Sequence, residues 1–165
     1  MRRMLEGLAP VVAADTRLLV LGSFPGVASL VAQQYYGHPR NAIWALVGAV
    51  IGVDLRTLAY AERLDALRAH GVGLWDVIAR AERQGSLDAA IRNETHNPLV
   101  DLVASLPRLT TIAFNGGTAA RLGRRELKAV ADRFELIDLP SSSPAHTLAF
   151  DGKLRAWGRL AGALR

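Results

Sequence analysis

The segment Arg17-Leu-Leu-Val-Leu-Gly22 decides the fold, together with the turn Gly22-Ser-Phe-Pro-Gly26 that it enters. Its apolar residues are continuous rather than alternating with polar ones. Such a run is typical of a strand that is buried on both faces, as in a parallel sheet. Two glycines and a proline directly after the run indicate a tight turn. The segment therefore predicts a buried strand that ends in a turn.

Three further segments repeat this pattern of an apolar run and a turn, at residues 71–77, 110–115 and 134–140. Around them, helical patterns occupy residues 41–51, 55–70, 97–106, 118–131 and 154–164. In the third of these, Asn97 and Pro98 predict an N-cap and a first helical residue. The alternation predicts an α/β fold, a three-layer α/β/α sandwich with a central, mainly parallel four-stranded sheet. No linker divides the chain, so we expect a single domain over residues 1–165.

Ligands of such sheets bind beyond the carboxyl ends of the strands. The residues that follow the four runs are therefore the candidates for function. They are Gly22-Ser-Phe-Pro-Gly26, Asp76, Asn115-Gly-Gly117 and Pro140-Ser-Ser-Ser-Pro-Ala-His146. Asp76 is either a cap or a polar group in the cleft. The other three segments are the turns richest in Gly, Pro, Ser and Asn, so topology and composition indicate the same edge.

The composition restricts the class of protein. The 165 residues include 20 Lys and Arg, of which just Lys128 and Lys153 are lysine, against 15 Asp and Glu. The net charge of +5 favours an anionic partner. Because arginine is well suited to binding phosphate, the composition is compatible with a nucleic-acid partner. The absence of cysteine excludes disulfides, thiolate nucleophiles and cysteine-ligated zinc or iron–sulfur sites.

No set of His, Asp and Glu residues has the spacing of a metal site, and His70 and His96 have no partner that the sequence reveals. We expect neither a metal nor a cofactor. The longest apolar run, residues 42–53, is shorter than the ~20 residues that cross a bilayer. Glu6 and Pro10 interrupt the apolar stretch that a signal peptide needs. We expect a cytoplasmic protein with no membrane partner.

The turn at residues 22–26, here called the first turn, has two interpretations. Gly22 and Gly26 let the backbone approach a ligand, and Phe24 could stack on a base, with Ser23 beside it. Alternatively, the turn simply joins a strand to a helix and Phe24 packs in the core. The segment lacks the Gly-x-Gly-x-x-Gly pattern, which disfavours a nicotinamide enzyme.

The most informative stretch is Gln33-Gln-Tyr-Tyr-Gly-His-Pro-Arg-Asn-Ala-Ile-Trp44. It places amide, phenol, imidazole, guanidinium and indole groups directly before a buried helix. Asn41 suits the N-cap of that helix, and His38 and Arg40 could simply be solvated. A purely structural loop rarely needs all these groups, however, so the stretch favours a binding or catalytic loop. The sequence does not distinguish whether Tyr35 or Tyr36 faces the ligand.

Two later segments carry weaker signals. In Pro140-Ser-Ser-Ser-Pro-Ala-His146, hydroxyls and amides could hold a phosphodiester, or the serines could cap a loop. A serine nucleophile is disfavoured because no strand is followed by Gly-x-Ser-x-Gly. Asn115-Gly-Gly-Thr118 opens a helix whose stripe of Arg121, Arg124, Arg125 and Lys128 either follows a phosphate backbone or is solvated.

Taken in order, several of these blocks give a resemblance to a known family. They are Gly22-Ser-Phe-Pro-Gly26, Gln34-Tyr-Tyr-Gly-His-Pro-Arg-Asn41 with Trp44, Gly73-Leu-Trp-Asp-Val77, Gly85-Ser-Leu-Asp88, Phe114-Asn-Gly116 and Leu139-Pro-Ser-Ser-Ser-Pro144. The sequence resembles the uracil-DNA glycosylase superfamily, and within it the hypoxanthine-DNA glycosylase branch. The lack of cysteine excludes the iron–sulfur branches of that superfamily.

The resemblance implies a monofunctional DNA repair glycosylase that flips a deaminated base, hypoxanthine above all, and hydrolyses its N-glycosidic bond. It implies that Asn41 is catalytic. The base-binding residues would be Gly22, Ser23, Phe24, Tyr36, His38 and Asn115. The DNA-binding residues would be Arg40, Ser141, Ser142, Ser143 and His146, where His146 replaces the Asn frequent in that branch. The partner would be double- or single-stranded DNA that contains a deaminated base, bound by a monomer.

Two alternatives stay open. Mismatch-specific uracil-DNA glycosylases carry Gly-Ile-Asn-Pro-Gly in the first motif, with the Asn positioning water, whereas this chain has Phe24 in that place. The chain could still be an enzyme of that type, and a non-catalytic DNA- or nucleotide-binding domain of the same fold is the second alternative.

Overall fold

The centre of the molecule is a parallel sheet, as the computed structural model shows for residues 3–165, the part of the chain that the structure describes. The strands are β1 (Met4–Glu6), β2 (Leu18–Gly22), β3 (Val72–Asp76), β4 (Ile78–Glu82), β5 (Arg92–His96), β6 (Thr111–Asn115) and β7 (Glu135–Leu139). Four of them form the central sheet in the order β3-β2-β6-β7, all parallel. These are the four predicted strands, and the prediction is confirmed.

The register of the central sheet brings the candidate residues together. Gly22 pairs with Asp76 across β2 and β3, and Asn115 pairs with Leu139 across β6 and β7. Every residue of β2 and β3 is buried, because helices and loops cover both faces of the sheet. The carboxyl ends of the strands therefore meet at one edge, immediately before the first turn and the serine-rich loop.

Six α-helices surround the sheet. They are α1 (Val27–Ala32), α2 (Ile43–Ile51), α3 (Tyr60–Ala69), α4 (Leu99–Ala104), α5 (Gly117–Glu126) and α6 (Phe150–Gly158). Helix α2 packs against α6, and α4 packs against α5, which also contacts β6. The close approach of α5 depends on Gly123, where a β-carbon would stand 2.5 Å from the Phe114 ring. The predicted α/β/α arrangement is confirmed.

A second sheet was absent from the prediction. Strands β1, β4 and β5 form an antiparallel sheet in the order β1-β4-β5. Strand β4 begins two residues after β3 ends, and β5 is largely exposed and polar along its length. The sequence pattern missed β4 and β5 because neither has a continuous apolar run. These strands also pair within the second sheet and not with the strands of the central sheet.

Several predicted helix bounds were wrong. Residues 55–70 form a 3₁₀ turn, Leu55–Thr57, followed by α3, and residues 118–131 divide into α5 and the 3₁₀ turn Lys128–Arg133. The last helix begins at Phe150, four residues before the predicted start, and ends in the 3₁₀ turn Arg159–Leu164. Asn97 does not cap α4 with its side chain. Its Nδ2 instead donates to the backbone oxygen of Asp76 at 2.8 Å.

Within residues 3–165, none of the helices is long and apolar enough to cross a membrane. The same residues contain no cluster of three His, Asp or Glu side chains arranged to hold a metal ion.

Candidate active site

A cavity of about 540 Å³ opens at the carboxyl edge of the central sheet. Its wall includes nearly all the side chains proposed from the sequence, namely Gly22, Ser23, Phe24, Tyr36, His38, Asn41, Asn115, Ser141, Ser142, Ser143 and His146. Arg40 is the exception. The volume lies within the range of roughly 300–1,000 Å³ typical of small-ligand sites. Segments far apart in sequence thus share one site, as the topology predicts.

The first turn forms the floor of this cavity beside β3. At Gly22, a β-carbon would stand 2.5 Å from Asp76 Oδ1 and 3.0 Å from the Tyr36 hydroxyl. No side chain other than hydrogen fits there. Phe24 is buried and lines the cavity, and the Arg83 guanidinium lies 5.2 Å from the centroid of its ring. Phe24 is therefore both a core residue and part of the wall, so the two interpretations of this residue are compatible.

Residues 83–91, here called the covering loop, are tied to the first turn. Ser23 Oγ donates to Asp88 Oδ1 at 2.7 Å, and the Val27 amide donates to Ser86 Oγ at 2.9 Å. The Arg83 guanidinium donates to the Pro25 carbonyl. Ser86 and Asp88 belong to a block that carried the resemblance, but no pattern in the sequence indicated Arg83. These contacts hold one side of the cavity in place.

The structure distinguishes the two tyrosines. The Tyr35 hydroxyl donates to the Ala9 carbonyl at 2.6 Å, and its ring is buried in the core. Tyr36 has a left-handed backbone (φ 53°), and its hydroxyl accepts from Asn115 Nδ2 at 3.3 Å. Burial raises the pKa of both hydroxyl groups, so they are neutral. Both rings border the cavity, but Tyr36 is the one hydrogen-bonded to another candidate residue.

Asn41 lines the cavity at the start of α2. Its Oδ1 accepts from the Ile43 amide at 3.0 Å, which fixes the orientation of the carboxamide because an amide hydrogen bonds to oxygen, not to NH₂. Within the described residues, its Nδ2 has no acceptor, and a carbonyl oxygen has a second lone pair. The predicted N-cap position was wrong by one residue, because Ala42 is the N-cap of α2 and Asn41 precedes it. The bond from the Ile43 amide still ties Asn41 to the start of the helix and is compatible with a functional role. One oxygen holds the helix, while the rest of the amide is available to a ligand.

His38 and Arg40 flank Asn41 on the exposed side. The Arg40 amide donates to His38 Nδ1 at 3.1 Å, so that ring nitrogen is an acceptor and a neutral His38 ring carries its hydrogen on Nε2. His38 lines the cavity. The Arg40 side chain is exposed outside it, where a cation can meet a phosphate rather than a base.

Asn115 clamps the loop of residues 140–146, here called the serine loop. Its Oδ1 accepts from the Ser142 amide at 2.8 Å, and its Nδ2 donates to Ser142 Oγ at 2.9 Å. Ser142 is 1% exposed. The structure thus gives the Ser142 hydroxyl a supporting position, whereas Ser141, Ser143 and His146 are more open to solvent. The carboxamide of Asn115 is mostly occupied by this clamp and by Tyr36.

Helix α6 supports the serine loop from below. Trp157 Nε1 donates to the Pro140 carbonyl at 2.9 Å, and Lys153 Nζ donates to the Ser143 carbonyl at 3.0 Å. Lys153 is 4% exposed, and burial lowers its pKa. Neither contact could be found from the sequence, because Trp157 belongs to an ordinary helical pattern and Lys153 precedes the predicted start of that helix. They place a cation behind a loop whose front faces the cavity.

The residues of the basic stripe on α5 and the 3₁₀ turn after it differ in their contacts. Arg124 donates to Asp138 Oδ1 at 2.9 and 3.1 Å, and its guanidinium lies 5.4 Å from the Phe114 ring centroid. Arg121, Arg125 and Lys128 are exposed. Part of the stripe is therefore occupied in packing, and none of it lines the cavity.

Asp76 is the residue whose role the sequence left least defined. It stands at the end of β3, is 4% exposed and lines the cavity. Its Oδ2 is enclosed and has no hydrogen-bond partner among the described residues. Burial and the negative charge of Asp88 raise its pKa to about 7, against the opposing charge of Arg83. The floor of the cavity thus holds a carboxyl group that can be neutral near physiological pH.

Comparisons with known proteins agree with this geometry. A family model described as the uracil DNA glycosylase superfamily matches residues 9–161. A protein of Methanosarcina barkeri named hypoxanthine DNA glycosylase is 38% identical over 152 residues, which cover 92% of this chain and 94% of that protein. A protein of the same name from Methanosarcina acetivorans is 40% identical over 141 residues, 86% of this chain and 87% of that protein.

A solved structure shares the whole fold. It is a solution NMR structure of a Methanosarcina acetivorans protein provisionally described as a uracil DNA glycosylase. The two structures superpose with a TM-score of 0.87 at 35% sequence identity, and the match covers 98% of this chain and 99% of the other.

Proposed function

Because this chain belongs to the uracil DNA glycosylase superfamily, we propose that it is a monofunctional DNA glycosylase that removes hypoxanthine from DNA. Two relatives that match most of its length carry the name hypoxanthine DNA glycosylase. The observation that carries the proposal is the placement of Asn41, whose carboxamide lines the cavity with its NH₂ group unpaired among the described residues. The enzyme would hydrolyse the N-glycosidic bond of a flipped nucleotide and leave an abasic site.

The chemistry needs a positioned water and a stabilised leaving base. Breaking the bond leaves an oxocarbenium-like sugar, and a water oxygen then bonds to C1′. The second lone pair of Asn41 Oδ1 accepts a hydrogen bond from this water, and Nδ2 donates to an acceptor on the flipped nucleotide. An amide is no strong base, so its contribution is orientation and hydrogen bonding rather than proton removal.

The remaining wall of the cavity suits a flat base. Phe24 and Tyr36 supply aromatic surface on which a purine can stack, and Ser23 and His38 supply polar groups at its edges. Phe24 also occupies the place that Asn holds in the mismatch-specific uracil pattern. The proposal therefore favours a purine over uracil, since the stacking surface is extended and the uracil-type amide is missing.

The DNA backbone would lie over the mouth of the cavity. His146 is an exposed residue of the cavity wall, and Arg40 is exposed next to Asn41 in the sequence. Ser141 and Ser143 present hydroxyls and backbone groups on the serine loop. Phosphate is bound by such groups and attracted by the net charge of +5. We also propose that the protein is a monomer, since all the groups assigned above come from one chain. We propose a cytoplasmic location as well. Light scattering at assay concentrations tests the monomer.

The test is a single-turnover excision assay on 30-base-pair DNA duplexes that each carry one deoxyinosine, deoxyxanthosine or deoxyuridine. Alkaline strand cleavage then detects the abasic site. We expect cleavage at inosine and none in an undamaged duplex. Cleavage confined to deoxyuridine would replace the proposal by the uracil-type activity. Tight binding of the inosine duplex without cleavage would support the non-catalytic alternative.

A further inference from the structure

Asp76 has no function in the account above, although it is among the best-enclosed polar groups of the cavity. Its carboxyl group makes no hydrogen bond within the described residues, and Oδ2 is shielded from solvent. Leaving a buried carboxylate unpaired costs stability, and such groups are rare in folded proteins. Since Oδ2 is enclosed and Asp76 lines the cavity, Oδ1 is the oxygen that a molecule in the cavity can contact.

Among the described residues, no neighbour of Asp76 donates a hydrogen bond to its carboxyl group. Its Oδ1 lies against Gly22, which has no side chain to offer a polar hydrogen. The Tyr36 hydroxyl lies near the same position and accepts from Asn115 Nδ2, but it makes no hydrogen bond to Asp76. On its other side, Asn97 binds the backbone oxygen of Asp76 rather than its carboxyl group. The strand is thus held in place while the carboxyl group remains unpaired.

The charged and titratable groups around Asp76 come from three segments of the chain. Arg83 and Asp88 belong to the covering loop, Tyr35 and Tyr36 precede α2, and the imidazoles of His38 and His146 line other parts of the wall. Arg83 makes no ion pair with Asp76 among the described residues. Its Nε and Nη2 donate to the carbonyls of Gly85 and Pro25, and its buried Nη1 has no partner among the described residues. Burial together with Asp88 therefore outweighs Arg83 and favours the neutral acid.

We propose that the protonated carboxyl group of Asp76 donates a hydrogen bond to the carbonyl oxygen of the flipped base and stabilises that base as it leaves. The inference rests on the proposed function. When the C1′–N9 bond breaks, its electron pair passes to N9 of hypoxanthine and spreads over the ring to the carbonyl oxygen. The proton stays on Asp76, and the base is finally protonated from solvent, which also receives the proton lost by the attacking water.

The ionised form of Asp76 would oppose this step. A carboxylate only accepts hydrogen bonds, so it would face the carbonyl oxygen and the growing negative charge of the base without a proton between them. The acid form is populated below the pKa of about 7 and lost above it. Excision should consequently be fastest in acid and fall about tenfold per pH unit above that pKa.

The test compares single-turnover excision from an inosine duplex between pH 5.5 and 9 for the wild type and Asp76→Asn. Asparagine has nearly the same shape and keeps an N–H donor at every pH. We expect the wild-type rate to fall about sixteenfold between pH 7 and pH 8.5, and the rate of Asp76→Asn to be flat over that interval. An equal fall in Asp76→Asn would overturn the inference, as would a flat profile in the wild type.

Control variants separate Asp76 from the two imidazoles of the wall. His38→Gln and His146→Gln replace the two imidazoles that line the cavity by uncharged amides. Both should keep the alkaline fall at the same pH as the wild type, whatever their absolute rates. If the fall disappeared in either of them and persisted in Asp76→Asn, the pH dependence would belong to that histidine and the inference would be wrong.

Binding separates failure of this inference from failure of the proposed function. A 2′-fluoro substituent on the deoxyinosine sugar slows bond cleavage, so the affinity for such a duplex is measured without excision. We expect the wild type to prefer this duplex over an undamaged one more strongly at pH 6 than at pH 8.5, and Asp76→Asn to show no such change. Should the wild type excise no hypoxanthine, the proposed function fails, while a pH-independent preference in the wild type refutes the role of Asp76.

Discussion

Asp76 Oδ1 lies so close to Gly22 that a β-carbon on Gly22 would stand 2.5 Å from it. The two residues pair directly across β2 and β3, at the point where both strands enter the cavity. The glycine is required by this close approach rather than by an unusual backbone angle. Because Gly22 has no side chain, the buried Asp76 carboxyl group and the start of the first turn can lie in contact at the base of the cavity.

Gly22→Ala should disturb this floor. The added methyl group must displace either the Asp76 carboxyl group or the strand, and such overpacking costs about 1–3 kcal/mol of unfolding free energy. We expect a lower urea midpoint and slower excision. Gly117→Ala is the matched control, because a β-carbon there meets no atom within 4 Å. Its stability should equal or exceed that of the wild type, since alanine favours a helix over glycine by up to about 1 kcal/mol. Equal stability of both variants would contradict the close approach.

Ser142→Ala tests the clamp between β6 and the serine loop. The substitution removes the oxygen that accepts from Asn115 Nδ2 at 2.9 Å and leaves a donor without its best partner. The expected loss is about 1–3 kcal/mol of unfolding free energy. Ser143→Ala removes a less buried hydroxyl that accepts only from the Ala145 amide, so it should cost less. Equilibrium unfolding in urea compares the two, and a larger loss in Ser143→Ala would argue against the clamp.

Asp88→Asn changes the pH dependence without changing the local shape. The asparagine Oδ1 can still accept from Ser23 Oγ, but the negative charge that raises the pKa of Asp76 is gone. The pKa of Asp76 should drop below about 7, and the alkaline fall in excision should move to lower pH. Asp54→Asn, at an exposed position paired with Arg56, is the control and should leave the profile in place. Movement of the fall to higher pH in Asp88→Asn would be the opposite of this prediction.

His96 links stability to pH at a second place. Burial disfavours its charged form, but hydrogen bonds to Glu126 at 2.7 Å and Glu94 at 2.6 Å prevail and raise its pKa. A raised pKa means stabilisation that is complete below the unfolded value of about 6.5 and lost as the pH rises through the folded value. Because the site is partly exposed, the contribution should be below about 1 kcal/mol.

Glu126→Gln isolates this contribution of His96. We expect the wild type to exceed the variant in unfolding free energy by more at pH 5.5 than at pH 9. Urea unfolding at the two values measures the difference. A gap that stays constant, or one that widens at pH 9, would show that the His96 pair does not supply this stability.

The sequence predicted the central sheet because β2, β3 and β6 are buried along almost their whole length and so have continuous apolar runs. Strand β7, at the edge of the sheet, is only partly buried, but its run was still apolar enough to be recognised. The sequence pattern missed β4 and β5, whose polar residues face solvent and whose pairing depends on the chain reversing between them. It also gathered most of the cavity wall correctly, since parallel strands deliver their carboxyl ends to one edge.

Other features of the site depend on contacts that no spacing encodes. Tyr35 and Tyr36 are adjacent and chemically identical, and the left-handed backbone of Tyr36 separates their positions. Lys153 donates to the Ser143 carbonyl from α6, which begins four residues before the predicted start at residue 154. The Asp76 carboxyl group has no hydrogen-bond donor next to it among the described residues, and only the folded structure shows this.

The central claim is that Asn41 drives release of hypoxanthine from DNA. Its most direct measurement is chromatographic detection of free hypoxanthine released from an inosine duplex by an excess of enzyme. Asn41→Ser is the decisive variant, because the serine oxygen can still accept from the Ile43 amide at the start of α2 while the carboxamide is lost.

We expect the wild type to release one hypoxanthine per duplex. We expect Asn41→Ser to melt and to bind DNA like the wild type but to release hypoxanthine at a rate at least about a hundredfold lower. The reason is that the variant lacks a hydrogen-bonding group at the reacting centre. Release at the wild-type rate by Asn41→Ser, or no release of hypoxanthine by the wild type, would contradict the central claim.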